Sequence, residues 1–185
     1  MKRNSAVLKL VLGALFLALA LVLPFLTGQI PEIGSMLCPM HLPVLLAGFV
    51  CGGPIAAVIG FAAPLLRFLM FGMPPIYPTG LSMAFELLTY GLVSGVFYNF
   101  VFKKKNIVSV YASLLIAMVT GRVVWGVVRL ILAGIGGEAG SFTFAAFISG
   151  AVTTAIPGII VQLVLIPVIV MALKKAGLMP GGKDW

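Results

Sequence analysis

Four charged side chains stand inside long apolar stretches of this chain: Arg67, Glu86, Arg122 and Arg129. A charge at a bilayer centre costs about 2.5 to 3.5 kcal/mol on insertion scales, so each needs a partner, water or a function. At helical spacing Glu86 shares a face with Ser82, Thr89 and Tyr90. Arg122 and Arg129, seven residues apart, share another face with Trp125 between them. Gln162 is the lone amide of the last apolar run, and His41 stands at the start of the second. Together Arg67, Glu86, Tyr90, Arg122, Trp125, Arg129, His41 and Gln162 form the candidate ligand site, with aromatic walls and a few polar anchors as in small-molecule pockets. Three arginines against one glutamate favour an anionic or carboxylate-bearing ligand. The structural alternative is that Arg67 and Arg129 snorkel to lipid headgroups while Glu86 neutralises one arginine.

Other chemistry finds little support. Met36, Cys38, Met40 and His41 form a soft cluster, but with no second His or Cys group nearby in sequence no metal site is expected. Cys38 and Cys51 lie about 20 Å apart along a helix, too far for a disulfide. No Gly-rich phosphate loop, nucleophile elbow, zinc motif or paired carboxylate is found. Glu86 with His41 is the one acid/base pair available, so an enzyme is not expected, and no cofactor is.

Composition sets what must position these residues. Apolar residues make up 62% of the 185 positions and charged ones 9%, far below the roughly 25% charged residues of a soluble domain. The reading is an all-α integral membrane protein, a single transmembrane domain over 1–185. Its six-helix bundle has helices at about 6–26, 36–51, 54–71, 80–102, 108–133 and 142–173. The second is short for a crossing, and Pro157 and Pro167 read as kinks in the sixth. The basic start resembles a signal peptide, but Ala18 to Ala20 lies inside the first run, so cleavage is not expected.

The net charge of +8 does not imply nucleic acid, because Lys and Arg gather at segment edges and form no stripe. Lys2, Arg3 and Lys9, then Lys103 to Lys105, then Lys174, Lys175 and Lys183 fall on one side of a six-helix bundle, while loops 28–35, 73–79 and 134–141 hold no Lys or Arg. Both termini are therefore expected in the cytoplasm. All four buried charges then fall in the outer half, with Arg122 roughly 21 Å and Arg129 roughly 31 Å up the fifth helix. That depth suits a pocket open to the outside. A self-sufficient carrier or channel, the alternative, needs polar groups through the inner half as well.

Four segments stand out: Ala14-Leu15-Phe16-Leu17-Ala18, Met40-His41-Leu42-Pro43-Val44-Leu45-Leu46-Ala47-Gly48, Phe71-Gly72-Met73-Pro74-Pro75, and Ala84-Phe85-Glu86-Leu87 running into Tyr90-Gly91-Leu92-Val93-Ser94-Gly95. With them the chain resembles the substrate-specific S components of energy-coupling factor (ECF) transporters, importers of vitamins and related micronutrients. The resemblance implies a multi-pass protein of the bacterial cell membrane that binds a vitamin from outside. Its partners would be a transmembrane coupling subunit and two cytoplasmic ATPases, with Ala14 and Ala18 touching the coupling subunit and the three outer loops covering the pocket. Pantothenate, cobalamin, folate, riboflavin and a queuosine precursor are all open as substrate, and the arginine surplus leans toward an acid such as pantothenate.

Overall fold

The computed structural model describes residues 5–27, 36–102, 106–136, 143–177 and 179. All regular structure among them is helical. Helix α1, Ser5–Val22, continues into a tighter turn at Leu23–Thr27. α2 is His41–Cys51 and α3 is Gly53–Phe71. α4, Leu81–Val96, is extended by wider turns at Ile76–Gly80 and Phe97–Val101. α5 is Ile107–Ile135, α6 is the short Phe144–Ile148, and α7 is Ile156–Lys175.

Five of these stretches are long and apolar enough to cross a membrane: Ala6–Leu26, Gly53–Phe71, Ile76–Val101, Ile107–Ile135 and Ile156–Lys175. Their outward faces are apolar, with Leu26 81% and Phe100 77% exposed, as expected where hydrocarbon is the solvent. Helix association there rests on close packing instead of the expulsion of water. α2 differs. Its 11 residues rise about 16 Å, roughly half of a bilayer core. All of them except Leu42 are buried. α2 is a short central helix wrapped by the longer ones.

Two boundaries depart from the sequence reading. Met36 and Leu37 are helical, but Cys38 adopts a left-handed conformation at φ 47° and breaks the run, so α2 itself begins at His41, whose N–H donates to the Cys38 carbonyl at 3.0 Å. The long last run is divided into α6, a wide turn at Ser149–Thr153, and α7. Pro157 is therefore no kink: it sits in the first turn of α7, where its missing N–H leaves no bond unmade. Pro167 lies inside α7 and is buried. Lys2, Arg3, Lys103 to Lys105, Lys183 and the loop positions 28–35 and 137–142 lie outside the described residues.

α2 and α4 run side by side in the same direction, and their packing changes along their length. Toward the C-terminal ends, Gly48 lies against Gly91, Ser94 and Gly95, and Gly53 against Leu92 and Val96. A Cβ on Gly95 would fall 2.2 Å from the Gly53 nitrogen, so here backbone meets backbone and only glycine fits. Asn99 Nδ2 closes this seam by donating to the carbonyls of Gly48 at 3.4 Å and Gly95 at 3.0 Å. α5 starts from a capping box, with Asn106 and Ser109 bonding each other's backbone N–H at 3.0 Å. At the other end of the α2–α4 pair, the glycines give way to polar side chains.

Candidate ligand site

Glu86, on α4 and 1% exposed, is the centre of that polar group. Its Oε1 lies 3.0 Å from Arg122 Nη1 on α5 and 3.4 Å from His41 Nε2 at the start of α2. Tyr90, one turn along α4, shares that face of the helix, and its ring meets His41 edge-on with centroids 5.2 Å apart. Arg122 Nη2 also reaches Cys38 Sγ at 3.7 Å. α2, α4 and α5 thus meet at one carboxylate, and the segment before α2 reaches its arginine partner.

The backbone makes room for this. A Cβ at Gly121 on α5 would lie 2.0 Å from Tyr90 Cε1, so the missing side chain at 121 lets the Tyr90 ring lie flat on α5 and brings α4 and α5 to ion-pair distance one residue later. In a low-dielectric interior the Glu86–Arg122 attraction is strong, yet desolvating both charges offsets much of it. What holds firmly is the pairing itself, because losing either partner strands the other. The carboxylate is held among groups that the chain itself supplies.

Not every polar atom here is used. Both ring nitrogens of His41, Glu86 Oε1, Arg122 Nε and Gln162 Nε2 are buried with no hydrogen-bond partner among the described residues, although Glu86 Oε1 has its charged neighbours. More than nine in ten buried polar groups in folded proteins are satisfied, so each exception calls for a reason. Gln162, on α7 and 2% exposed, lies one turn beyond Gly158, where a Cβ would fall 2.7 and 2.8 Å from the carbonyls of Met36 and Leu37. It therefore faces the segment that leads through Cys38 to His41.

The other sequence candidates are placed differently. Arg67 is 3% exposed and does not snorkel. It donates to the Leu21 carbonyl at 2.7 Å and sits 5.0 and 5.5 Å from the ring centroids of Phe25 and Phe71, away from Glu86. Arg129 Nη1 donates to Thr79 Oγ1 at 3.3 Å, and the Tyr77 hydroxyl donates to the Leu132 carbonyl. Together they tie the segment before α4 to the far end of α5. Trp125 stacks on Phe147 of α6 with centroids 6.2 Å apart and planes at 28°. The structure thus brings Glu86, His41, Tyr90 and Arg122 together, holds Gln162 toward the neighbouring segment, and puts Arg67, Arg129 and Trp125 in other contacts.

Sequence reasoning counted Cys38 only as a possible soft metal ligand. The available signal was its spacing, three residues before His41, which brings it into the neighbourhood of whatever His41 touches. Thr79 and Tyr77 carried no such signal, since their partners are on α5, 50 and 55 residues away.

With this geometry in hand, comparison with known proteins is informative. A family model described as "ECF transporter, substrate-specific component" matches residues 8–170. No curated protein and no solved structure matched the chain. The chain belongs to the family of substrate-specific components of ECF transporters, a family of transporter subunits and not of enzymes.

Proposed function

We propose that this ECF transporter component captures a vitamin-sized micronutrient from outside the bacterial cell membrane in a site built around Glu86, His41, Tyr90, Arg122 and Gln162. A coupling subunit and two ATPases would then supply the energy for its release inside. One observation carries the placement of the site: His41 Nδ1, Arg122 Nε and Gln162 Nε2 are buried polar atoms whose hydrogen bonding the described residues leave unfinished. A bound solute satisfies them. The orientation, with both termini cytoplasmic and this site toward the outside, rests on the one-sided distribution of Lys and Arg. Arg67, Arg129 and Trp125, with their own partners, take supporting positions round the site.

Ala14 and Ala18 are both exposed on α1, and small residues four apart let a second helix approach closely. They are the proposed contact with the coupling subunit. The test is to purify the chain in lipid nanodiscs, identify the retained small molecule by mass spectrometry, and titrate it back by calorimetry. Saturable binding of one compound supports the reading. Absence of any retained compound, together with no thermal stabilisation by a panel of water-soluble vitamins, would refute it.

A further inference from the structure

Asn99 and Gln162 are both carboxamides on membrane-spanning stretches, and the bundle treats them differently. The amide nitrogen of Asn99 finds two backbone carbonyls, those of Gly48 and Gly95. Gln162 is 2% exposed, and its Nε2, which carries two N–H donors, has no acceptor among the described residues. Close packing is not what is missing. One turn back on the same face, Gly158 lies so near the carbonyls of Met36 and Leu37 that a Cβ there would fall 2.7 and 2.8 Å from them. α7 is thus pressed against the segment leading to α2, yet its amide nitrogen bonds nothing there. An apolar side chain of the same length would fill this place without burying an unbonded donor, which is unfavourable in a dry interior. Gln162 is also the one polar residue among the buried residues of α7, the others being Gly158, Ile166, Pro167 and Val170.

Resting on the proposed function above, we infer that Gln162 is a specificity-determining residue through which the solute fastens α7 to the rest of the bundle. Its amide is left unbonded in the empty protein and is completed by a hydrogen-bond acceptor on the solute, a carbonyl or a ring nitrogen. α2, α4 and α5 are already joined at Glu86 without any solute. α7 gains its inward polar tie when the solute arrives. A compound of the same shape without that acceptor leaves the amide buried and unbonded, so the residue discriminates against it. The empty protein is consequently less stable than it would be with an apolar side chain at 162, and removing the amide moves stability and solute affinity in opposite directions.

The test uses Gln162→Met, which keeps the length and unbranched shape of the side chain and removes the amide, with Gln162→Leu as a second apolar shape. Each full-length chain is placed in lipid nanodiscs, freed of bound compound by exhaustive dialysis, and melted. The compound that mass spectrometry finds on the wild-type chain is then titrated in by calorimetry. Empty Gln162→Met should melt about 2 °C or more above empty wild type, while binding the compound about two- to tenfold more weakly. Asn99→Leu, which removes an amide whose bonds are made, should melt below wild type. An amide that only packs α7, or that bonds a structural water, would lower the melting of Gln162→Met as well. If both Gln162 variants melt below wild type or do not fold, the inference is overturned. Unchanged affinity in the higher-melting of the two overturns it equally, and in either case binding by the wild type leaves the capture function standing. Failure of any compound to bind the wild type would instead remove the proposed function and this inference together.

Discussion

Arg67 and Arg122 are the same residue in the same kind of place, each inside an apolar helix of a membrane protein, yet the bundle treats them in opposite ways. Arg67 is sealed by its neighbours: a backbone carbonyl from α1 and two phenyl rings take up its guanidinium. Arg122 is matched charge for charge by Glu86 and still keeps Nε free of any described partner. Depth and charge in the sequence do not separate the two. What separates them is whether the surroundings finish the hydrogen bonding or leave part of it for something else. Arg67 is a fastening between α1 and α3, and Arg122 is the proposed solute contact.

The contrast is sharpest in stability and binding measured together. Arg122→Ala strands a buried carboxylate, so melting should report a loss of about 3 to 5 kcal/mol, largely recovered by adding Glu86→Gln. A double variant no more stable than the single one would show that Glu86 relies on other partners. Arg67→Met should cost less, about 1 to 3 kcal/mol, because it removes a charged hydrogen bond and ring contacts but leaves no opposite charge behind. A destabilisation as large as that of Arg122→Ala would erase the distinction between them.

Gly121→Ala probes the site without touching a charge. Its new methyl collides with the Tyr90 ring, so α4 and α5 must part or Tyr90 must turn, at a cost of about 1 to 3 kcal/mol for an overpacked contact. Pairing it with Tyr90→Ala, which vacates the space, should reduce that penalty, and a purely additive double variant would argue against the contact. The smallest effect on stability is expected on the exposed face of α1. Ala14→Trp with Ala18→Trp should shift melting by less than about 0.5 kcal/mol, as surface changes do, and leave solute binding intact while abolishing copurification with the coupling subunit. Intact copurification would refute that role.

Much of this was legible from residues alone. The apolar runs with basic edges announced a helical membrane protein, and spacing put Glu86 and Tyr90 on one face of one helix. Which arginine meets Glu86 was not legible, because it depends on the close approach of α4 and α5 that the bare Gly121 permits. Arg67 misled for a related reason: its acceptor is the backbone carbonyl of Leu21, 46 residues away, and every residue has such a carbonyl. Pro157 read as a kink since a proline inside an apolar run looks alike whether it bends one helix or begins another. The short reach of α2 was visible in its length, but its burial on nearly every side was not, because a helix apolar all round can face lipid or protein equally well.

The central claim, that the unfinished hydrogen bonding around Arg122 is where solute is held, is tested most directly by titrating the retained compound into folded Arg122→Ala and Arg67→Met proteins. Affinity should fall by about tenfold or more in Arg122→Ala and change by less than about twofold in Arg67→Met. Equal losses in both, or full affinity in Arg122→Ala, would contradict the claim and leave Arg122 as structural as Arg67.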